Sequence, residues 1–451
     1  MKQFIKQEFI PKKASNIPLW PLSEMHNIDK SEEIIVSSNG KKEQVYTNKF
    51  FSFVNVVVES FDATIIIDVL FLKASDIKIK GIKENQYYVK NRGEVKITFP
   101  EEGRAVLEPD DDLTNALYIT VSRRIEKPEN ISYYFRKGNI YNIGNVQLNS
   151  GDTVYIEDGA IVSGYLSSNG ADDIKVIGNG ILYGGNWHEE EGNGGERLIA
   201  LVGGNNIDIE GITLLDGGSW HLVPIGCKNV HINNVNILGK VITGDGIDIV
   251  GCNDVLIENS FIRANDDCIS IKASGYMGSQ GNQNTHNVVV NNCLFWNAEF
   301  GNALEIGYET TCDEISHIYF NNCRILHCEY EGNQSGGCLT IHDADRAFVH
   351  DIHYENIVIE DAQEKFVDIK VLDSKYSSDT TRGKISNVYF RNISVLGDKF
   401  PVSIIRGFEM KHEVSRPTNI YFDNVTVCNK HVMNFRDLHL IKELTDDVYF
   451  L

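Results

Sequence analysis

The segment Val255-Leu256-Ile257-Glu258-Asn259, followed by Ile262, shows the pattern that decides the fold of this chain. Apolar residues occupy every second position up to an asparagine, and another apolar position follows shortly after it. The pattern returns along the second two thirds of the chain as Val230 to Asn234, Val288 to Asn292, Ile318 to Asn322, Ile352 to Asn356, Val388 to Asn392 and Ile420 to Asn424. Glycine takes the place of the asparagine in two earlier copies, Ile174 to Gly178 and Ile207 to Gly211.

Each copy predicts a short strand that ends in a sharp bend. Alternating apolar residues are typical of strands, and asparagine and glycine tolerate the left-handed backbone that a sharp bend requires. A repeat of about 23 to 36 residues built from such strands is the coil of a parallel β-helix. Leucine-rich repeats would need shorter, Leu-rich periods. The sequence therefore predicts a right-handed parallel β-helix over residues 131–451, with the bend asparagines stacked in a hydrogen-bonded ladder.

The first part of the chain has a different pattern. Apolar stretches separated by polar turns predict antiparallel strands at Phe51 to Val58, Thr64 to Leu70, Ile77 to Ile82, Val95 to Phe99 and Ala116 to Val121. We therefore predict an accessory β-sandwich-like domain over residues 1–130, and an all-β fold class for the whole chain.

Composition excludes several classes of partner. The net charge of −21 argues against nucleic acid and acidic membranes, which are themselves polyanions. No run approaches the ~18 apolar residues of a membrane span. The first residues, Met1 to Glu8, lack the apolar stretch of a signal peptide, which predicts a cytoplasmic protein, or a secreted one if the native N-terminus was trimmed.

The cysteines predict buried thiols and no metal site. The chain has 9 cysteines, and no CxxC pair occurs, so reduced thiols are expected instead of disulfides or a zinc site. Cys293 and Cys323 directly follow the bend asparagine of adjacent coils, which predicts an interior stack. No cofactor is expected.

Acidic residues occupy equivalent positions in consecutive coils. The strand after each bend aligns Asp245 with Asp267, Asn302 and Gly337, and equivalent positions in stacked strands lie about 4.8 Å apart. Asp245 and Asp267 are therefore predicted to be neighbours, with Asp266 beside them. The outward positions of the same strands predict a polar stripe on one face, made of Asp248, Ser270, Lys272, Glu305, Thr340 and His342.

Three carboxylates this close predict acid–base chemistry. They cannot all ionise freely, so at least one pKa is expected to rise, which keeps a general acid protonated near neutral pH. One carboxylic acid and one carboxylate that activates water are what glycosidic hydrolysis needs. Aspartate is also common in the turns of β-helices, so the spacing alone leaves a purely structural role open.

The stretches Trp220 to Val230, Gly244 to Ile249 and Asn265 to Lys272 resemble the polygalacturonase family, glycoside hydrolase family 28. They are also similar to its relative, the dextranase and isopullulanase family 49, which carries a β-sandwich before the β-helix. The resemblance covers about residues 135 to 430. It implies inverting, metal-free hydrolysis of a carbohydrate, with Asp266 as general acid, Asp245 and Asp267 holding and deprotonating the attacking water, and Lys272 lining the cleft.

Two departures from that family bear on the substrate. Gly301-Asn302-Ala303 stands where polygalacturonases have Gly-His-Gly, and Thr340-Ile341-His342 stands where they have the Arg-Ile-Lys that binds the galacturonate carboxylate. Glu305 adds a negative charge nearby, so we expect a neutral, α-glucan-like glycoside. The expected substrate contacts are Asp248, Lys272, Asn302, Glu305, Tyr308, His342 and Trp296. The alternatives are a polygalacturonase, a calcium-dependent polysaccharide lyase and a non-catalytic carbohydrate-binding solenoid.

Aromatic residues and histidines near these strands have competing interpretations. Trp296 and Tyr308 flank the Asn302 to Glu305 segment and are the best candidates for stacking on a sugar, although aromatics in a solenoid are more often core. Further candidates with weaker support are Trp187, Trp220, Tyr276, His188 and His221. We expect His188 to lie in a solvated acidic loop and His221 to be a buried core residue.

Overall fold

The computed structural model describes residues 28–48, 50–185, 196–275, 278–329, 336–410 and 413–451, and the backbone of two short strands near the N-terminus. Three candidates from the sequence, Trp187, His188 and Tyr276, lie outside the described residues. The chain forms two compact units. The first comprises Met1–Asn142, Tyr155–Val162 and Ile177–Ile181, and the second comprises Ile143–Val154, Ser163–Val176 and Leu182–Leu451. The predicted boundary at residue 130 stays a prediction.

Two sheets of the first unit enclose one apolar core. One sheet has the order β10 (Tyr87–Asn91), β11 (Glu94–Phe99), β8 (Ile65–Phe71), β4 (Ile34–Ser38) and β5 (Lys41–Glu43). The other has the order β3 (Asp29–Lys30), β6 (Tyr46–Thr47), β7 (Ser52–Val58), β13 (Leu117–Arg123), β12 (Gly103–Pro109) and β9 (Ile77–Lys80). The strands alternate buried and less buried residues, as Ile65–Phe71 does, so side chains such as Val36, Ile67 and Ile119 meet in the core. Pairing is antiparallel except between β7 and β13, which run parallel, whereas the sequence predicted antiparallel strands throughout.

A hairpin pairs β1 (Ile5–Glu8) with β2 (Asn16–Leu19), and single 3-10 turns occupy Glu84–Gln86 and Leu113–Asn115.

The second unit is a right-handed parallel β-helix, which confirms the predicted fold. Successive coils pair strand on strand, so the strands form three stacks, here named the cleft stack, the bend stack and the third stack. The cleft stack contains β17 (Ile161–Asn169), β20 (Ile199–Val202), β23 (Leu222–Ile225), β26 (Ile247–Val250), β29 (Ile269–Ala273), β32 (Leu304–Thr310), β35 (Gly337–Asp343), β37 (Lys365–Val371), β39 (Val402–Arg406) and β44 (Leu440–Glu443).

The bend stack contains β18 (Ile174–Gly178), β21 (Asn205–Glu210), β24 (Lys228–Asn233), β27 (Asn253–Glu258), β30 (Thr285–Asn291), β33 (Glu314–Asn321), β36 (Phe348–Ile359), β38 (Lys384–Val395), β42 (Thr418–Val427) and β45 (Val448–Phe450). The third stack contains β19 (Ile181–Tyr183), β22 (Thr213–Leu215), β25 (Asn236–Leu238), β28 (Phe261–Ala264), β31 (Leu294–Asn297) and β34 (Arg324–Cys328). The remaining strands are β14 (Tyr133–Phe135), β15 (Ile140–Leu148), β16 (Thr153–Ile156), β40 (Phe408–Met410), β41 (Glu413–Ser415) and β43 (Lys430–His431).

The bend asparagines form the predicted ladder. Asn392 has a φ of 53°, its Nδ2 donates to Asn356 Oδ1 at 3.0 Å, and its Oδ1 accepts from Asn424 Nδ2 at 2.8 Å. At three steps the acceptor is instead the residue before the bend, since Asn259 donates to Asn233, Asn322 donates to Asn291 and Asn356 donates to Asn321. Each asparagine bend from Asn259 to Asn424 therefore combines a left-handed residue with a side-chain bond to the coil before it.

The cysteines of the second unit are free thiols, as predicted. Cys293 and Cys323 are both 2% exposed and lie in the interior of adjacent coils. Cys428, by contrast, is only partly buried. No helix within the described ranges is long and apolar enough to cross a membrane.

We predict that Asn392→Ala lowers the free energy of unfolding by about 1 to 2 kcal/mol. Alanine is strained in the left-handed backbone conformation and cannot form either ladder bond. Asn392→Gly keeps the backbone freedom and loses only the bonds, so its effect should be smaller. Urea unfolding of both variants measures the difference. Equal losses in the two variants would contradict the part assigned to the left-handed backbone.

Candidate active site

An open cleft of about 590 Å³ lies along the cleft stack. Strands β26, β29 and β32 and the segments just before and after them supply most of its wall. The residues that line it are Trp220, Ile242, Thr243, Asp245, Asp266, Asp267, Lys272, Phe300, Gly301, Asn302, Tyr308, Glu309, Lys375 and Tyr376. All three aspartates that the sequence placed together therefore share one cavity.

The strand register explains this convergence. Ile247 pairs with Ile269, and Ile269 pairs with Leu304, which in turn pairs with Leu339. This is the alignment that the sequence predicted. The Gly246 N–H donates to the Asp267 carbonyl at 2.8 Å, which ties the aspartate segments of adjacent coils together.

Asp267 is held from the next coil by Asn302. The backbone N–H of Asn302 donates to Asp267 Oδ1 at 2.8 Å, and its side-chain Nδ2 donates to the same oxygen at 3.0 Å. Burial raises the pKa of Asp267 well above its ordinary value, and the charges of Asp266 and Glu305 raise it further. Asn302 thus orients one oxygen of a carboxyl group that resists ionisation.

Asp266 is more exposed than its two partners and is partly open to the cleft. Its Oδ1 accepts the Asp267 N–H at 3.0 Å, and its carbonyl accepts Asn297 Nδ2 at 2.8 Å. Gly301 lies against it with a φ of +68°, where a Cβ would collide with Asp266 Oδ1 and the adjoining backbone. Asn297 and Gly301 are positioning residues that the sequence analysis missed.

Lys272 connects two carboxylates beside the cleft. Its Nζ donates to Asp245 Oδ2 at 3.3 Å and forms an ion pair with Asp248 Oδ1 at 2.9 Å. The ammonium group also lies 4.2 Å from the centroid of the Trp220 ring. Burial alone would lower the pKa of Lys272, but Asp248 and Asp245 raise it more, so the net shift is well above the ordinary value. Lys272 therefore stays charged.

The same contacts set the protonation of Asp245. Burial raises the pKa of Asp245 well above its ordinary value, and the neighbouring Asp248 carboxylate raises it further, while Lys272 opposes the shift. Asp266 and Asp267 also contribute. Carboxyl groups that interact this strongly titrate as a set and not one by one. The raised pKa predicted from the sequence is therefore present at Asp245 and Asp267.

A second charged group lies further along the cleft stack, below its surface. His342 Nδ1 lies 3.0 Å from both carboxylate oxygens of Glu305, and its Nε2 lies 3.4 Å from Asp368 Oδ2. The Thr340 hydroxyl donates to Glu305, and the Tyr308 ring stacks on the imidazole with centroids 4.5 Å apart. A histidine placed between two carboxylates is held in its charged form.

The pKa values in this group agree with that arrangement. Burial lowers the pKa of His342, but the charge of Glu305 and the hydrogen bond to Asp368 raise it more, to about 9. Burial raises the pKa of Asp368, but His342 and the ammonium group of Lys370, 2.7 Å away, lower it more, to below its ordinary value. The ammonium group of Lys365 also lies 3.1 Å from Asp368 Oδ2, so the opposite charges of this group stabilise one another inside the protein.

Four expected substrate contacts do not line the cleft of this structure. Asp248, Glu305 and His342 do occupy the outward-facing strand positions, but each is 0% exposed and none lines the cleft. Asp248 forms an ion pair with Lys272, and His342 forms ion pairs with Glu305 and Asp368. The Trp220 ring lies over Lys272, and the Tyr308 ring stacks on His342. Trp296 is 1% exposed, and its Nε1 donates to Glu329 at 2.7 Å, so it belongs to the core.

The other expected contacts, Lys272, Asn302 and Tyr308, do line the cleft. Trp220 also lines it, and His221 is fully buried with Nδ1 2.7 Å from the Asp245 carbonyl oxygen. Lining residues that the sequence analysis did not single out are Ile242, Phe300, Glu309, Lys375 and Tyr376. Lys375 and Tyr376 belong to an irregular loop outside the repeat, so no periodic pattern pointed to them. The catalytic roles of the three aspartates stay a prediction.

The comparisons with known proteins identify the family. A β-helix with neighbouring aspartates in a cleft along one strand stack is the arrangement that the sequence resemblance implied for a glycoside hydrolase. Residues 146–433 match the family model for glycosyl hydrolases family 28. The match covers more than half of the chain, and the protein belongs to this family.

Curated relatives and solved structures agree with this assignment. The chain is 28% identical over 257 residues to a probable exopolygalacturonase B of Aspergillus flavus, covering 50% of this chain and 54% of the relative. It is 23% identical over 192 residues to an exopolygalacturonase of Arabidopsis thaliana, covering 42% of this chain and 41% of the relative. The chain thus spans about half the length of the curated relatives it matches.

Among solved structures, an exopolygalacturonase of Thermotoga maritima superposes with a TM-score of 0.54 at 15% identity, covering 70% of this chain and 83% of the other. The family 28 exopolygalacturonase of Yersinia enterocolitica gives a TM-score of 0.53 at 13% identity, covering 100% of this chain and 95% of the other. At these identities the likeness establishes the shared fold.

We predict that the protein loses stability between about pH 6.5 and about pH 9. His342 has a folded pKa raised to about 9 against an ordinary 6.5, so its contribution is complete below 6.5 and is lost as the pH rises through 9. The full contribution is on the order of 3 kcal/mol.

Unfolding free energies measured across this range for wild type and His342→Gln check this prediction. The variant should be less stable at pH 6 and should show a flatter profile. The exposed His431→Gln is the matched control and should keep the wild-type slope. A wild-type slope retained in His342→Gln would contradict the assignment.

Proposed function

We propose that this protein hydrolyses glycosidic bonds of a galacturonate-containing saccharide by single displacement with inversion. The observation that carries the proposal is the convergence of Asp245, Asp266 and Asp267 in one cleft of a family 28 chain. Hydrolysis with inversion needs an acid for the leaving oxygen and a base for water on the opposite face of the sugar. The cleft supplies carboxyl groups for both tasks.

The environments of the aspartates support a division of roles. Asp266 is the most exposed of the three and can reach the glycosidic oxygen, so it takes the role of general acid. Asp245 and Asp267 are buried deeper and are oriented by Lys272 and Asn302, so they hold the attacking water. Their raised pKa values keep a proton on part of this coupled pair. The carboxylate that remains, which Lys272 favours at Asp245, accepts the proton of the water. A positioned acid or base is worth about 10² to 10⁴ in rate.

The substrate proposal departs from the neutral α-glucan expected from the sequence. That expectation assumed an acidic stripe facing the substrate, but Asp248 and Glu305 are buried and paired with Lys272 and His342. A uronate in the cleft would not meet their charges directly. The curated relatives are named exopolygalacturonases, which favours the polygalacturonase alternative over a dextran-like substrate.

We predict that Asp266→Asn reduces hydrolysis of polygalacturonate by at least about 10³-fold, because the amide cannot donate a proton to the leaving group. Binding of oligogalacturonate should persist, since the side chain keeps its shape. Reducing-end release and isothermal titration calorimetry measure the two effects. Asp398→Asn, in an exposed loop, is the matched control and should leave both unchanged.

A substrate panel and product analysis complete this test. Wild type should release reducing ends from polygalacturonate and not from dextran, and NMR of the first product should show the inverted anomer. Activity on dextran alone would reject the substrate, and a retained anomer would reject the mechanism. An unsaturated product that absorbs in the ultraviolet would indicate a lyase, and full activity of Asp266→Asn would reject the assignment of the acid.

A further inference from the structure

The loop 372–383, between β37 and β38, brings two side chains to the cleft. Lys375 and Tyr376 stand at its turn, and both line the cavity that contains the three aspartates. Both are exposed, with Tyr376 at 45% of its full accessible surface. They come from a coil that lies beyond β35 in the cleft stack, so they belong to a different part of the wall from the aspartates.

This loop is held in place by a buried carboxylate. Asp345 is 0% exposed, and its Oδ1 accepts the N–H groups of Ser378 at 2.6 Å and Asp379 at 2.7 Å. Its other oxygen, Oδ2, accepts the Thr310 N–H at 3.1 Å. One side chain therefore fixes the loop to the coil below it and to the end of β32.

The turn itself is closed by serine hydroxyls. Ser374 Oγ accepts the Tyr376 N–H at 3.0 Å, and Ser377 Oγ accepts the Ser374 N–H at 3.0 Å. Ser377 Oγ also donates to the Ala344 carbonyl at 2.7 Å. A turn with this many bonds presents its tip in a defined position, which lowers the entropic cost of binding a ligand there.

The two side chains offer complementary chemistry. The Tyr376 ring lies 5.5 Å from the Tyr308 ring, which also lines the cleft, and the Lys375 ammonium lies 4.8 Å from the Tyr376 centroid. Among the described residues, no acidic side chain forms an ion pair with Lys375. Lys272, the other lysine that lines the cleft, already forms ion pairs with Asp245 and Asp248. Lys375 is therefore the lysine whose charge is available to a ligand.

We propose that Lys375 binds the carboxylate of a uronate residue in the cleft while Tyr376 stacks against its sugar ring. This inference rests on the proposed function and specifies how the substrate charge is recognised. Thr340 and His342 stand where polygalacturonases have arginine and lysine, but Thr340 is uncharged and the charged His342 is buried between Glu305 and Asp368. The loop instead supplies a cation from the coil after β35. A single ammonium forms a charge-assisted bond to a carboxylate without the bidentate geometry of arginine.

The test measures binding in the Asp266→Asn background, where hydrolysis does not interfere. Trigalacturonate and its fully methyl-esterified form are titrated by calorimetry into this protein and into the same protein carrying Lys375→Met. We expect Lys375→Met to weaken binding of trigalacturonate about tenfold, the size of one charge-assisted contact. Binding of the ester should change less than about twofold, because the ester has no charge to lose.

Two further variants make the result specific. Tyr376→Ala should weaken binding of both ligands by similar factors, because ring stacking does not depend on the carboxylate charge. Lys399→Met removes an exposed lysine away from the cleft and should leave both affinities unchanged. Lys375→Arg, which keeps the charge, should restore most of the preference for the acid.

The outcomes separate this inference from the proposed function. Equal weakening of acid and ester by Lys375→Met, no weakening, or failure of trigalacturonate to bind would overturn the role of Lys375. Hydrolysis of polygalacturonate by wild type would still support the function in the first two cases. Failure of wild type to hydrolyse polygalacturonate would overturn the function, whatever the binding titrations give for Lys375.

Discussion

A left-handed backbone bend at the asparagine or glycine position shared by successive coils is the constraint on which the rest of this structure depends. Asparagine accepts this conformation at low cost and uses its side chain to bond to the coil below, as Asn292 does to Asn259 at 2.8 Å. The bend ends one strand and sets the direction of the next, so its repetition fixes the vertical register of the solenoid. Loops of different length can then be inserted between coils without moving the strands out of alignment.

This strand register determines where the three aspartates of the cleft lie. With Ile247 over Ile269 and Ile269 over Leu304, the residues just before these strands, Asp245, Asp266 and Asp267 among them, meet at one edge of the cleft stack. Stacking also brings like charges together, which would be costly if they were left unpaired. Cations from the same stack neutralise these negative charges. Lys272 lies between Asp245 and Asp248, and His342 lies between Glu305 and Asp368.

These ion pairs explain why the acidic residues of the stripe were wrongly expected to face the substrate and to exclude a uronate. Alternation along a strand correctly indicated that Asp248, Glu305 and His342 point away from the apolar interior. It did not reveal that Trp220 and Tyr308 cover this face, so the charges neutralise one another below the cleft surface. The charge that a substrate meets comes from residues in the bends and loops, such as Asp266 and Lys375, and loops carry no periodic signal from which their position can be predicted.

The sequence by itself determined the parallel β-helix, the ladder, the coil alignment and the meeting of the three aspartates, because a periodic pattern encodes periodic structure. It also indicated that Asn302 and Tyr308 would lie near them. Only the tertiary structure decided which outward-facing residues reach the cleft, that Trp296 is core, and that a loop anchored by Asp345 adds Lys375 and Tyr376 to the wall. The physical reason is that exposure depends on what packs over a residue, and here the covering groups come from other coils and from irregular loops.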